Sequence, residues 1–266
     1  MLGVTKYLNY VRWLSLEIPT GAICVLALVG KELHLAVPLA AYVALFSAVW
    51  LIYLVDHWLD SWKRTVATSR RKFHQENAPL IIGLIILSLL CGMMSLFFLP
   101  RQVLWWGMGL SLVCGLYLAA SQWLGRRWVK EAAVAICYAG GIMLYPVYTH
   151  FNATCALLFG QLLLLAFVNL VTFSLFEEQD DRIEGFFSIV TQLGYVKTRM
   201  LAGVVLLVLS LSLWVEGQSI AFLAFVGLGS LLYTSMHVFP DFFQSKDRYR
   251  LLGDSYFIMA IIFLLF

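Results

Sequence analysis

Long apolar stretches separated by short polar ones set the character of this chain. Nine apolar segments, centred near Cys24, Leu45, Ser88, Val113, Gly140, Leu164, Leu206, Phe225 and Ile261, approach the roughly 20 residues that an α-helix needs to cross a bilayer. No stretch shows the sustained alternation of a half-buried strand, so the pattern predicts an all-α, polytopic membrane protein. The polar segments between the spans are short, the longest running from Ser61 to Ala78, Glu178 to Lys197 and His237 to Arg250. None is long enough for a second domain, so residues 1–266 are expected to form one transmembrane domain.

Charge then orients the segments. Sixteen of the 18 Lys and Arg residues fall on the N-terminus and the alternate polar segments on its side, leaving only Lys31 and Arg101 opposite. Positive residues are retained on the cytoplasmic face, which places the N-terminus inside and, after nine spans, the C-terminus outside. The first apolar segment, about Leu14 to Gly30, lacks the short basic leader and small-residue cleavage site of a signal peptide and is expected to remain in the mature protein. With 62% hydrophobic and 12% charged residues and a formal net charge of +3, the chain offers no basic patch for nucleic acid. Its expected surroundings are the lipid bilayer. The five cysteines all lie in apolar segments without CxxC spacing, which indicates neither a zinc site nor a disulfide framework and leaves them as small core residues.

Against this apolar background two acidic pairs stand out, Asp56 with Asp60 and Glu177 with Asp181. Each is spaced four apart, one turn along one helical face, and each closes an apolar segment on the cytoplasmic side. The members of the first pair precede those of the second by 121 positions, a hint of two four-helix halves followed by a ninth helix. Acids at a membrane boundary are costly without partners, so the two pairs are expected to face one cavity and share a cation. Magnesium suits such a site, because it takes one or two carboxylates and leaves its other positions to water and phosphate. Arg70, Lys72, Lys130 and Arg182 lie nearby in sequence and are candidate diphosphate ligands; His74 belongs to the same basic cluster as Arg70 and Lys72. Metal and cations together would neutralise a departing diphosphate, and an aromatic pocket would stabilise the carbocation left behind. Tyr53, Tyr138 and Asn169 are placed to line that pocket. Glu17 with Arg12, and Asp254 with Arg250, are each about a turn apart and are expected to pair locally. Gly140-Gly141 and Gly227 with Gly229 are expected at close helix contacts.

These residues resemble the UbiA superfamily of intramembrane prenyltransferases, which has nine helices and aspartate-rich motifs on the second and sixth. The stretch Ile52-Tyr53-Leu54-Val55-Asp56-His57-Trp58-Leu59-Asp60 matches the last two aspartates of that family's NDxxDxxxD motif, with Ile52 and Tyr53 in place of Asn and Asp. Glu177, Asp181, Gly185 and Ser188 match its second motif, with Glu for the first Asp. The resemblance implies nine helices around a central cavity open to the cytoplasm. It implies Mg2+-dependent transfer of an isoprenyl chain from its diphosphate to a lipophilic acceptor, such as an aromatic one, with Asp56, Asp60, Glu177 and Asp181 as the catalytic metal-holding acids. Some relatives are terpene cyclases, which ionise the same donor and need no acceptor. A transporter or lipid-binding protein is the non-enzymatic alternative, although such proteins place ionisable groups near the midplane rather than at one face.

Overall fold

A computed structural model of the protein describes residues 10–62, 69–123, 130–184 and 188–266, less the side chains of 60, 62, 69–71, 117–123 and 184. Its regular elements are all helical: α1 (Glu17–Glu32), α2 (Leu39–Trp62), α3 (Ser69–Glu76), α4 (Ala78–Leu96), α5 (Arg101–Trp123), α6 (Lys130–Thr149), α7 (Ala153–Phe176), α8 (Glu178–Glu184), α9 (Ile189–Leu193), α10 (Tyr195–Ser212), α11 (Ile220–Val238), α12 (Pro240–Gln244), α13 (Arg248–Tyr256) and α14 (Ala260–Phe263). Six of them contain stretches long and apolar enough to cross a membrane: Leu39–Leu59, Ala78–Leu96, Lys130–Thr149, Ala153–Phe176, Tyr195–Ser212 and Ile220–Val238. The class expected from the hydropathy pattern, all-α with apolar spans, is therefore present.

Helix α7 is the axis of the bundle. Cys155, Leu158, Leu162, Leu165, Val168 and Val171, three or four apart along it, are all at most 1% exposed. This spacing makes a continuous stripe for neighbours to pack on. Polar caps set its start and that of α11: Asn152 accepts from the Cys155 N–H at 2.7 Å, and Ser219 from that of Phe222 at 3.2 Å.

Contacts between connecting segments sort into two ends. At one, the Trp13 carbonyl accepts from His74 Nε2 at 2.8 Å, Glu131 accepts from the Ile189 N–H at 2.9 Å, and Arg199 donates to the His237 carbonyl at 3.0 Å. At the other, Lys31 donates to the Leu264 carbonyl at 2.9 Å, Glu32 accepts from the Ser219 N–H at 2.6 Å, and Tyr148 donates to Gln102 at 3.3 Å. Each of these bonds joins two segments that the Lys and Arg count places on the same side.

Because lipid is as apolar as the side chains, helix association rests on close packing and interhelical hydrogen bonds. Gly229 of α11 shows the first of these: a Cβ there would lie 2.6 Å from Tyr256 Cζ and 2.8 Å from Leu165 Cδ2. Tyr256 in turn stacks on Phe225 at 4.9 Å between centroids and donates its hydroxyl to the Phe225 carbonyl at 2.6 Å. Of the two glycines expected at a close contact on α11, Gly229 makes the tight one, whereas Gly227 has only ordinary room beside Leu213. Gly229→Ala is expected to lower stability by about 1–3 kcal/mol through overpacking, while Gly227→Ala changes it little; thermal unfolding of the two variants in detergent separates them.

Candidate functional site

The second acidic pair is built where α7 passes into α8. Glu177 terminates α7, and the Asp181 N–H donates to the Glu177 carbonyl at 2.8 Å, so the backbone keeps the two acids one turn apart. Beyond that local register, the partners of Glu177 come from far along the chain. Arg250 Nε donates to Glu177 Oε1 at 2.8 Å, and the Tyr249 hydroxyl donates to the same oxygen at 3.2 Å. Tyr249 is held in position by stacking on Phe176, 4.6 Å between centroids and 11° between planes. Oε2 of Glu177 takes neither bond.

The expected local pairing of Arg250 with Asp254 is thus replaced by an ion pair between α7 and α13. Burial opposes the charge on Arg250, and the facing Glu177 carboxylate and its hydrogen bond favour it. Asp254 remains within electrostatic reach of Glu17, Arg250, Arg12 and Glu177.

A path of neighbours leads from this pair to the first motif. Tyr138 of α6 lies in electrostatic reach of both Asp254 and Tyr53, and packs edge-on against Phe257 at 5.4 Å. Tyr53 packs edge-on against His57 at 5.9 Å, and His57 hydrogen-bonds Ser15 at 3.0 Å. Asp56, between them, is half-buried. Asn169 is 8% exposed and its Oδ1, without a hydrogen-bond partner among the described residues, sits 2.7 Å from where a Cβ at Gly253 would be. That glycine is what lets α13 approach α7.

On another side, Glu131 is 5% exposed and caps α9 through Oε1, while its Oε2 has no hydrogen-bond partner among the described residues. Lys130 and Asp181 are both within its electrostatic reach. The structure therefore groups Lys130, Glu131 and Asp181, and joins Tyr53, Tyr138 and Glu177 through Asp254 and Arg250. It does not bring Arg182 or Lys72 into these groups: Arg182 makes a surface pair with Glu178 at 2.8 Å and Lys72 with Glu76 at 3.7 Å, each one turn away. His74, expected in the basic cluster, is fully buried and ties α3 to the segment before α1. The side chains of Asp60 and Arg70, and residue Gly185, lie outside the described residues.

Among the described residues no three of His, Cys, Asp and Glu come close enough to hold a metal between them. Two surface recesses lie away from the acids. One, of about 320 Å³, runs between α10 and α11 beside Arg199 and His237; the other, of about 420 Å³, lies at the turn from α4 to α5 beside Phe97 and Arg101. Tyr249, Arg250 and Glu131 are the site residues that sequence reasoning missed. Their partners are 58 to 73 positions away, and only the presence of acids and bases at the ends of apolar segments pointed to them.

Comparison of the chain with protein-family models, curated proteins and solved structures finds no match. The ion pair supplies a test of the site's architecture. Arg250→Ala leaves the Glu177 carboxylate without its cation; because Arg250 is about one-third exposed, screening limits the expected loss to about 1–2 kcal/mol. Arg250→Lys keeps the charge and should lose less, and Glu177→Gln with Arg250→Ala should be less than additive in a thermal-denaturation cycle.

Proposed function

We propose that the protein is an intramembrane prenyltransferase that ionises an isoprenyl diphosphate and transfers the chain to a lipophilic acceptor. The observation that carries the reading is the convergence at one end of an apolar bundle of Glu177 with its arginine and of Asp181 with Lys130 and Glu131. Acids and cations interleaved at that boundary suit a charged diphosphate head whose hydrocarbon tail lies in the bilayer. The resemblance of the two acidic stretches to the UbiA motifs supports the same assignment.

In this reading nine helical passes cross the membrane with the N-terminus cytoplasmic. Besides the six long apolar helices, α1, α5 and the run from α13 to α14 complete the count. The bond from Lys31 to Leu264 supports this, since it sets the end of α1 beside the end of the chain. The diphosphate enters from the basic end, and a central cavity opens there.

Glu177, Asp181, Asp56 and Asp60 are the residues that would hold magnesium, with phosphate rather than further protein groups completing its ligands. Glu177 keeps Oε2 clear of its two bonds, Asp181 lies one turn on, and Asp56 with Asp60 would approach from α2. Bound there, the metal would supply Lewis-acid neutralisation of the diphosphate. Arg250 balances the charge of Glu177, and Lys130 is the described cation best placed for phosphate. As the C–O bond breaks, its electron pair leaves with the diphosphate; an acceptor carbon then captures the allylic cation and loses a proton. Tyr53 and Tyr138 supply ring faces for that cation without a strong nucleophile.

Purified protein incubated with geranyl, farnesyl or geranylgeranyl diphosphate, with and without magnesium, should release pyrophosphate only with the metal and only when an acceptor or membrane extract is present. Asp56→Ala and Asp181→Ala should each lower release by at least about 100-fold while leaving the unfolding midpoint within a few degrees. A cyclic hydrocarbon formed without acceptor would make the protein a cyclase; unchanged release in both variants would remove the acids from the mechanism.

A further inference from the structure

Helices α5 and α6 run antiparallel in a register that four contacts define. Tyr148 donates to Gln102 at 3.3 Å; a Cβ on Gly107 would touch Leu144 Cδ2 at 3.4 Å; one on Gly140 would touch Leu110 Cδ1 at 3.4 Å; and the thiols of Cys114 and Cys137 lie within interaction reach of each other. Each advance of three to five residues along α5 is matched by a retreat of three or four along α6, the repeat of a single helix face. Cys114 and Cys137 therefore face each other because of the helix pairing, and the glycines bring the two backbones close just where the cysteines follow. The other cysteines are placed differently: Cys24 and Cys155 are buried, and Cys91 is exposed on α4.

The pair is also accessible from outside the bundle. Both thiols are partly exposed, and the residues flanking them, Leu112, Val113, Leu116 and Ile136, are exposed apolar side chains within apolar helices. In a membrane that surface meets lipid, so reagents reaching the thiols are lipid-soluble ones.

We propose that Cys114 and Cys137 form an oxidisable dithiol, a modification site that a lipid-soluble two-electron oxidant of the quinone class converts to a disulfide joining α5 to α6. Each thiol gives up its proton, one S–S bond forms, and the two electrons and two protons pass to the quinone as hydroquinone. The bond would fix against α5 the helix that carries Glu131 and, next to Cys137, Tyr138. Facing Cβ atoms on closely packed helices are the arrangement a disulfide needs.

The test treats the full-length protein in lipid vesicles with tetramethyl-1,4-benzoquinone, whose substituted ring carbons disfavour addition of thiols. Free thiols are then counted by maleimide labelling after denaturation. The expected count falls from five to three, with a Cys114–Cys137 peptide recovered under non-reducing digestion and one hydroquinone formed per chain. Cys114→Ser and Cys137→Ser should each hold the count at four. Retention of all five thiols in the wild type, or loss through a Cys91 link between two copies, would overturn the proposal. Because the readout is thiol chemistry rather than turnover, it stands apart from the prenyltransferase reading.

Discussion

A charged group inside or beside lipid must bring its own partner, and in this chain the ion pair of Glu177 with Arg250 meets that requirement across 73 positions of sequence. Its consequence is architectural. Arg250 lies in the first turn of α13, so bonding it to the end of α7 docks the C-terminal helical run against the axis of the bundle. Tyr249 strengthens the same joint by donating to Glu177 and stacking on Phe176. Farther along, Gly253 and Gly229 remove the side chains that would hold α13 away from Asn169 and Tyr256 away from α11. One long-range polar contact and two glycines thus fix a helix that propensity alone would leave undirected.

The apolar helices were legible because lipid imposes one simple rule, that a spanning segment be long, apolar and internally hydrogen-bonded. Glu131 bonds Ile189 and Arg199 bonds His237, each joining segments that Lys and Arg counting assigns to the same side. The four-residue spacing of Glu177 and Asp181 was legible too, since a helix fixes it locally. Their partners were not. Local spacing favours Arg250 with Asp254, but tertiary packing offered Glu177, and nothing in a single sequence ranks a contact four residues away against one many turns distant. His74 was misjudged for a related reason: its neighbours in sequence are basic and polar, yet its ring is buried against the Trp13 carbonyl. Polarity of the surrounding segment does not reveal which face of a short helix turns inward.

The acids and the cations at the basic end bear on a difficulty in any site meant for a polyanion. Carboxylates alone would repel a diphosphate, and cations alone would bind it without leaving ligands for a metal. On the proposed function, Glu177 would resolve this locally: it shares one oxygen between Arg250 and Tyr249, which offsets its charge while Oε2 stays clear of both donors. Asp181 stands in the field of Glu131, another acid, but Lys130 lies beside them. A diphosphate arriving with magnesium would meet acids already compensated by cations, and its own charge would be divided between the metal and those same cations. On the proposed function, the interleaving of signs would let one boundary accept both the metal and the anion, which separate patches of either sign would not do.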